Sequence, residues 1–226
     1  MRVLQLRDRL HILTKQEPNR TRGDEVVFQF ETILLFVSAT FDATASVADI
    51  VYLGGDGEDA AWRRPGWLQR LEPVAPDLAA LVADGSAGAA LLQLIGALRN
   101  TIHGEALRMT DSREPGGLTA QFVRLSKATK TKLEIRIEAL GDSPARWGLR
   151  EVHREPALAP DRFSEKLLPR AVKLLNALMA ETKTELLPGV SPSDLRGPPE
   201  DVPNDRWWDD MFSFEIRRRV RLLGGI

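Results

Sequence analysis

A chain of 226 residues with 43% hydrophobic and 28% charged side chains has apolar material for one large folded domain under a solvated surface, which excludes general disorder. The absence of cysteine excludes a disulfide framework, a thiolate metal site and a cysteine nucleophile. A net charge of −1 argues against a protein that coats nucleic acid generally, while leaving room for a local basic groove.

Residues 1–23 read as a peripheral N-terminal segment: a short helix over 1–16, set apart by Pro18 and the polar run Asn19 to Asp24. Charges every few residues from Met1 to Arg7 do not fit a secretory signal. The longest apolar stretch, Thr32 to Phe41, is too short to cross a bilayer. A cytoplasmic protein without membrane association is the expectation. From Asp24 to about Tyr52, apolar residues including Val27, Ile33, Leu34, Val37 and Phe41 recur at helical spacing, and Gly54-Gly55 supplies the stop. The following loop holds Asp56, Glu58 and Asp59, which lack the ligand spacing of a calcium site and read as a solvated turn. The run Trp62-Arg63-Arg64-Pro65-Gly66-Trp67 interleaves cations with stacking surfaces, as contacts to single-stranded RNA do. Anchoring of the core is the competing use of its tryptophans. A short helix is expected over 67–71, and another from Asp77 to Asp84.

Ser86 caps a helix predicted to run to about Met109, with Leu91, Leu94, Ile95, Leu98 and Ile102 as its buried stripe. Beyond Pro115-Gly116-Gly117 the period changes. Leu133, Ile135, Ile137 and Ala139 alternate with charged residues, which predicts a half-buried strand pairing with Leu118 to Leu125 as a hairpin insertion over about 117–140. A helix over 161–187 follows, its core face formed by Leu167, Leu168, Val172, Leu174, Leu175, Leu178 and Met179. The prolines of 188–204 read as a linker. A C-terminal helix over 205–226 places its acids early and its arginines late, matching the helix dipole.

The candidate chemistry lies in the Ser86-capped helix. Arg99 and His103 stand at i, i+4 and share a face, with Asn100 directly after the arginine. Arg99 offers a permanent forked cation to a phosphate, and His103 is the side-chain type that exchanges protons near neutrality. The chain has three histidines, and Arg7/His11 and the looser Arg146/His153 also pair arginine with histidine, but neither lies on a comparable apolar helix. On the bland alternative, Arg99 and His103 solvate or bond an ordinary helix face.

A long helix, a helix bearing Arg-Asn with a nearby histidine and a further long helix together resemble the HEPN superfamily of small α-helical proteins, over residues 24–187. The family pattern places four to six residues between arginine and histidine, whereas here only three separate Arg99 from His103. The resemblance implies a mainly α, HEPN-like helical bundle with a small β-hairpin insertion, acting as a metal-independent endoribonuclease without a cofactor. It also implies a homodimer through the motif helix and a setting as a toxin or antiviral defence effector with an antitoxin or regulatory partner. A stripe of Leu92, Gly96, Arg99, Asn100, His103, Ala106 and Leu107 is where a second copy would pack; in the alternative, its small residues admit a neighbouring element of the same chain. In the expected reaction the 2′-hydroxyl of RNA attacks the adjacent phosphate, His103 moves the proton, Arg99 holds the oxygens and Asn100 orients them, so DNA is no substrate. The rival reading is a non-catalytic module of the same fold that binds RNA or a protein.

Overall fold

The computed structural model describes residues 2–104, 107–113 and 119–183; the side chains of residues 2, 102–104 and 113 lie outside the description, as do the expected linker and C-terminal helix. Seven α-helices and four strands occur among the described residues. The fold is mainly α, with one small antiparallel sheet.

The first helix, α1 (Arg2–Thr14), is followed by α2 (Arg20–Ala48), whose N-cap Asn19 accepts from the Arg22 amide at 2.9 Å. Far from being peripheral, α1 buries Leu10 and Leu13 in the same core as α2. Val26, Phe30, Ile33, Leu34, Val37, Phe41, Ala45 and Ala48 form the buried face of α2, and α1, α5 (Ala87–Gly104) and α7 (Pro160–Glu181) pack around it. From Arg20 to Leu53 this element is long and apolar enough to cross a membrane by length and composition, yet its inward face is occupied by the core. A π-helical turn, Asp49–Leu53, ends it, and Gly54 in the left-handed region supplies the expected stop.

Two short helices, α3 (Pro65–Leu71) and α4 (Pro76–Ala80), each start with proline in the first turn. The helix expected from Asp77 to Asp84 is shorter and starts one residue earlier, with Ala75 at the N-cap position of α4. Ser86 does cap α5: its hydroxyl accepts from the Ala89 amide at 3.0 Å.

Of the expected hairpin over 117–140, the strand at Leu118 to Leu125 is present, but it takes a different partner. Strand β1 (Met109–Arg113) pairs with β2 (Thr119–Arg124) in the register Met109↔Val123 to Arg113↔Thr119. Residues Lys127–Ala139, expected to be a strand in part, form the helix α6, capped by Ser126. Thr129, Leu133 and Ile137 are buried at i, i+4, i+8, while Ile135 is 52% exposed. A 3₁₀ turn, Pro144–Trp147, leads to β3 (Leu149–Val152) and β4 (Glu155–Leu158), so the sheet order is β1-β2-β4-β3, antiparallel throughout. His153 and Arg154 join β3 to β4 with φ of 53° and 66°, the paired left-handed conformation of a tight hairpin.

In α7, Phe163, Leu167, Leu168, Ala171 and Leu178 are buried, but Val172 and Met179 of the expected core face point to solvent. Pro169 sits within the helix without ending it. The compact unit closes at Lys183.

Candidate functional site

The π-turn at the end of α2 fixes the wall of a cleft. Asp49 is buried there, and its carboxylate accepts from the Trp67 indole at 2.7 Å and from the Gly57 amide at 3.1 Å. The Ser46 hydroxyl donates to the Gly57 carbonyl at 3.0 Å. Trp62 meets Trp67 edge-to-face at 5.1 Å, and its indole donates to the Phe41 carbonyl at 2.9 Å and to Thr44 Oγ1 at 3.0 Å. Both ends of the loop over 54–64 are thereby pinned to α2.

This anchoring corrects the expectation that Trp62 offers a stacking surface to RNA. It is 4% exposed with its N–H satisfied inside, so a base cannot lie on it. Asp56, Glu58 and Asp59 are engaged in the turn. Asp56 accepts from the Glu58 amide at 3.0 Å, and Asp59 takes the Arg64 guanidinium at 2.5 Å. Among the described residues, no three His, Asp or Glu side chains gather as a metal-binding group.

The pinned loop lays Arg63 against α5. A Cβ on Gly96 would stand 1.9 Å from Nη1 of Arg63, so the missing side chain is what admits the guanidinium. Gly96 of the expected dimer stripe is thus covered by a neighbouring segment of its own chain, and Leu92 is buried as well. Arg63 is exposed and makes no ion pair among the described residues, whereas Arg64 is held by Asp59.

Arg99 lies one turn beyond Gly96 on α5. Its Nη1 donates to Ser38 Oγ and to Asp42 Oδ2, each at 3.2 Å, and its side chain is 29% exposed. Ser38 and Asp42 come from α2, 61 and 57 residues earlier. These two residues escaped the reading of the sequence, because nothing local links them to the motif. A partial signal was present in Ser38 and Asp42 standing one turn apart on a helix otherwise rich in apolar residues. Asn100 is exposed beside Arg99, and His103 lies in the last turn of α5 with its side chain outside the description.

Ser38, Asp42, Arg63, Arg64, Leu92 and Gly96 are among the residues lining an open cleft of about 370 Å³ between α2, α5 and the loop. Ser38 and Asp42, which hold Arg99, thus line the same cleft as Arg63 and Arg64. The other histidines serve elsewhere: His11 Nδ1 stands 3.3 Å from Glu165, and His153 Nε2 is 2.9 Å from the Asp111 carbonyl. Comparisons of the chain with protein-family models, with curated proteins and with solved structures give no match.

Proposed function

We propose that this protein is a metal-independent, HEPN-like endoribonuclease, with Arg99 as the phosphate-holding cation, His103 as the proton-transfer group and Asn100 as an orienting amide. The observation that carries the reading is Arg99 itself. It is a partly exposed guanidinium, held by Ser38 and Asp42 beside an open cleft, one helical turn before a histidine on the same helix.

In this chemistry the 2′-hydroxyl of RNA loses its proton to a general base and attacks the adjacent phosphorus. The bond to the 5′-oxygen breaks, and that oxygen takes a proton from a general acid. The products are a 2′,3′-cyclic phosphate and a free 5′-hydroxyl. An imidazole supplies either proton transfer, which contributes typically about 10²–10⁴-fold. Arg99 matches the dispersed charge on the non-bridging oxygens with its forked donors. A second copy meeting the last turn of α5, beyond the part of the stripe that Arg63 covers, would bring two histidines to one substrate, one for each proton. A toxin or defence role, checked by an antitoxin, belongs to the same proposal.

The Asp42 contact also favours a second reading, in which Arg99 is a structural tie between α2 and α5 in a module that binds RNA or a protein. Wild type, R99A and H103A, each incubated with mixed RNA in excess chelator, separate the two. Endoribonuclease action predicts cyclic-phosphate ends from wild type and at least about 100-fold less cleavage by either variant. Intact RNA with all three folded proteins removes catalysis and leaves the binding module.

A further inference from the structure

Arg63 is the side chain of the cleft whose placement the catalytic proposal leaves unexplained. A long cation packed on a helix backbone, exposed and without an acidic partner among the described residues, gives up side-chain freedom. Its placement also depends on glycine at position 96, since any Cβ there would occupy the position of the guanidinium. The loop that carries it is pinned by the buried Asp49 carboxylate and by two tryptophan indoles. The cation is therefore delivered to this place by structure on both sides of the loop.

We propose that Arg63 forms a second phosphate subsite, holding the backbone phosphate next to the one held by Arg99. This rests on RNA being the ligand of the cleft, as proposed above. Gly96 and Arg99 lie three residues apart on α5, so the places where the two cations meet the helix are separated by about 4.5 Å along its axis. That separation is on the scale of one nucleotide step. Arg64, tied to Asp59, contributes field and a wall to the cleft, while Arg63 is free to meet a phosphate oxygen. A strand engaging both subsites is fixed in direction across the cleft, which sets which phosphate meets Arg99.

The test is binding of a fully 2′-O-methylated RNA decamer of mixed sequence, which lacks the attacking hydroxyl and so reports affinity apart from cleavage. R63A should raise the Kd about 5- to 10-fold near 0.1 M salt and make the dependence of log K on log salt shallower by about 0.7. G96A keeps every charge and meets only the far end of a flexible side chain, so the fold remains while the guanidinium is pushed out of place. Its Kd should rise by a similar factor. R63K, retaining charge without the fork, should fall between wild type and R63A. K132A, on exposed α6 surface, should bind as wild type does.

Unchanged affinity in R63A or in G96A overturns the subsite, and so does an equal loss in K132A, which would show diffuse attraction. Loss of inorganic phosphate binding in R63A with no binding of the decamer overturns RNA as the ligand. If the decamer binds in the expected order while wild type leaves ordinary RNA intact, the subsite stands and the endoribonuclease proposal falls.

Discussion

Gly54 and Gly55 are adjacent, yet they are glycine for different reasons. Gly54 adopts φ of 62° with open space around its missing side chain, so alanine there meets only the left-handed backbone penalty of about 1–2 kcal/mol. At Gly55, a Cβ would stand 1.8 Å from Oδ2 of Asp49. That contact is with a buried carboxylate that cannot retreat without leaving the Trp67 indole and the Gly57 amide unpaired. Leaving a buried donor unpaired costs about 1–3 kcal/mol. G55A should therefore lower the urea midpoint more than G54A, with an unchanged slope. If the two are equal, the Asp49 network contributes no more than an ordinary turn. The sequence showed the glycine pair as a helix stop, which is Gly54's part. The part played by Gly55 depends on Asp49, Gly57 and Trp67 meeting in space, and no local pattern reports that.

Among the elements, the long helices and the strand over 118–125 are legible and the rest of the sheet is not, for physical reasons. In α2 and α5 the apolar residues recur over several turns, so only a helix can bury them on one side. In α6 the pattern is shorter and ambiguous. Leu133 and Ile137 fit both a strand's alternation and a helix's i, i+4 pair, and Ile135 between them completes the alternation of a strand. The Ser126 cap and the Thr129 position one turn before Leu133 decide for the helix. Strands β3 and β4 have four residues each and turn through His153-Arg154 without glycine or asparagine, so the usual hairpin signal is missing. A substitution pair discriminates the two readings of α6. L133A should cost about 2–5 kcal/mol, whereas I135A, on the exposed face, should stay within about 0.5 kcal/mol. Thermal or chemical denaturation measures both, and comparable losses would argue for a buried strand face. For the candidate site, Arg99, Asn100, Arg63 and Arg64 were legible as residue types in a setting. That Arg63 and Arg64 share a cleft with Ser38 and Asp42, the partners of Arg99, was not, because it depends on how the loop over 54–64 folds back onto α2.

At the scale of the whole molecule, an ion pair between segments distant in sequence makes stability depend on pH. Asp142, just past α6, is nearly covered and receives the Arg170 guanidinium of α7 at 2.8 Å. The Ser143 amide donating to it, then the Trp147 indole and the charges of Arg170 and Lys166, outweigh its burial and hold its carboxyl below the usual aspartate value. A depressed folded pKa stabilises the fold fully above the unfolded value of about 3.9. That stabilisation is lost as the pH falls through the lower folded value. D142N lacks this contribution, so its stability should fall less steeply than that of wild type between pH 5 and pH 2. Parallel acid limbs in the two proteins would remove Asp142 from the account.

Helix α2 has a consequence for how occupancy of the cleft can be detected. Ser38, Phe41, Asp42, Thr44, Ser46 and Asp49 lie within three turns of the helix around which α1, α5 and α7 pack, and they hold Arg99, Trp62 and the loop. On that side the wall of the cleft is the central helix itself, so it is lost when the unit unfolds. A ligand seated there is linked to the unfolding equilibrium of the entire unit, and at one hundred times its Kd adds about 2.7 kcal/mol to it. Melting temperature thus becomes a binding assay: candidate oligonucleotides can be ranked by how far they raise it, before any product of cleavage is sought.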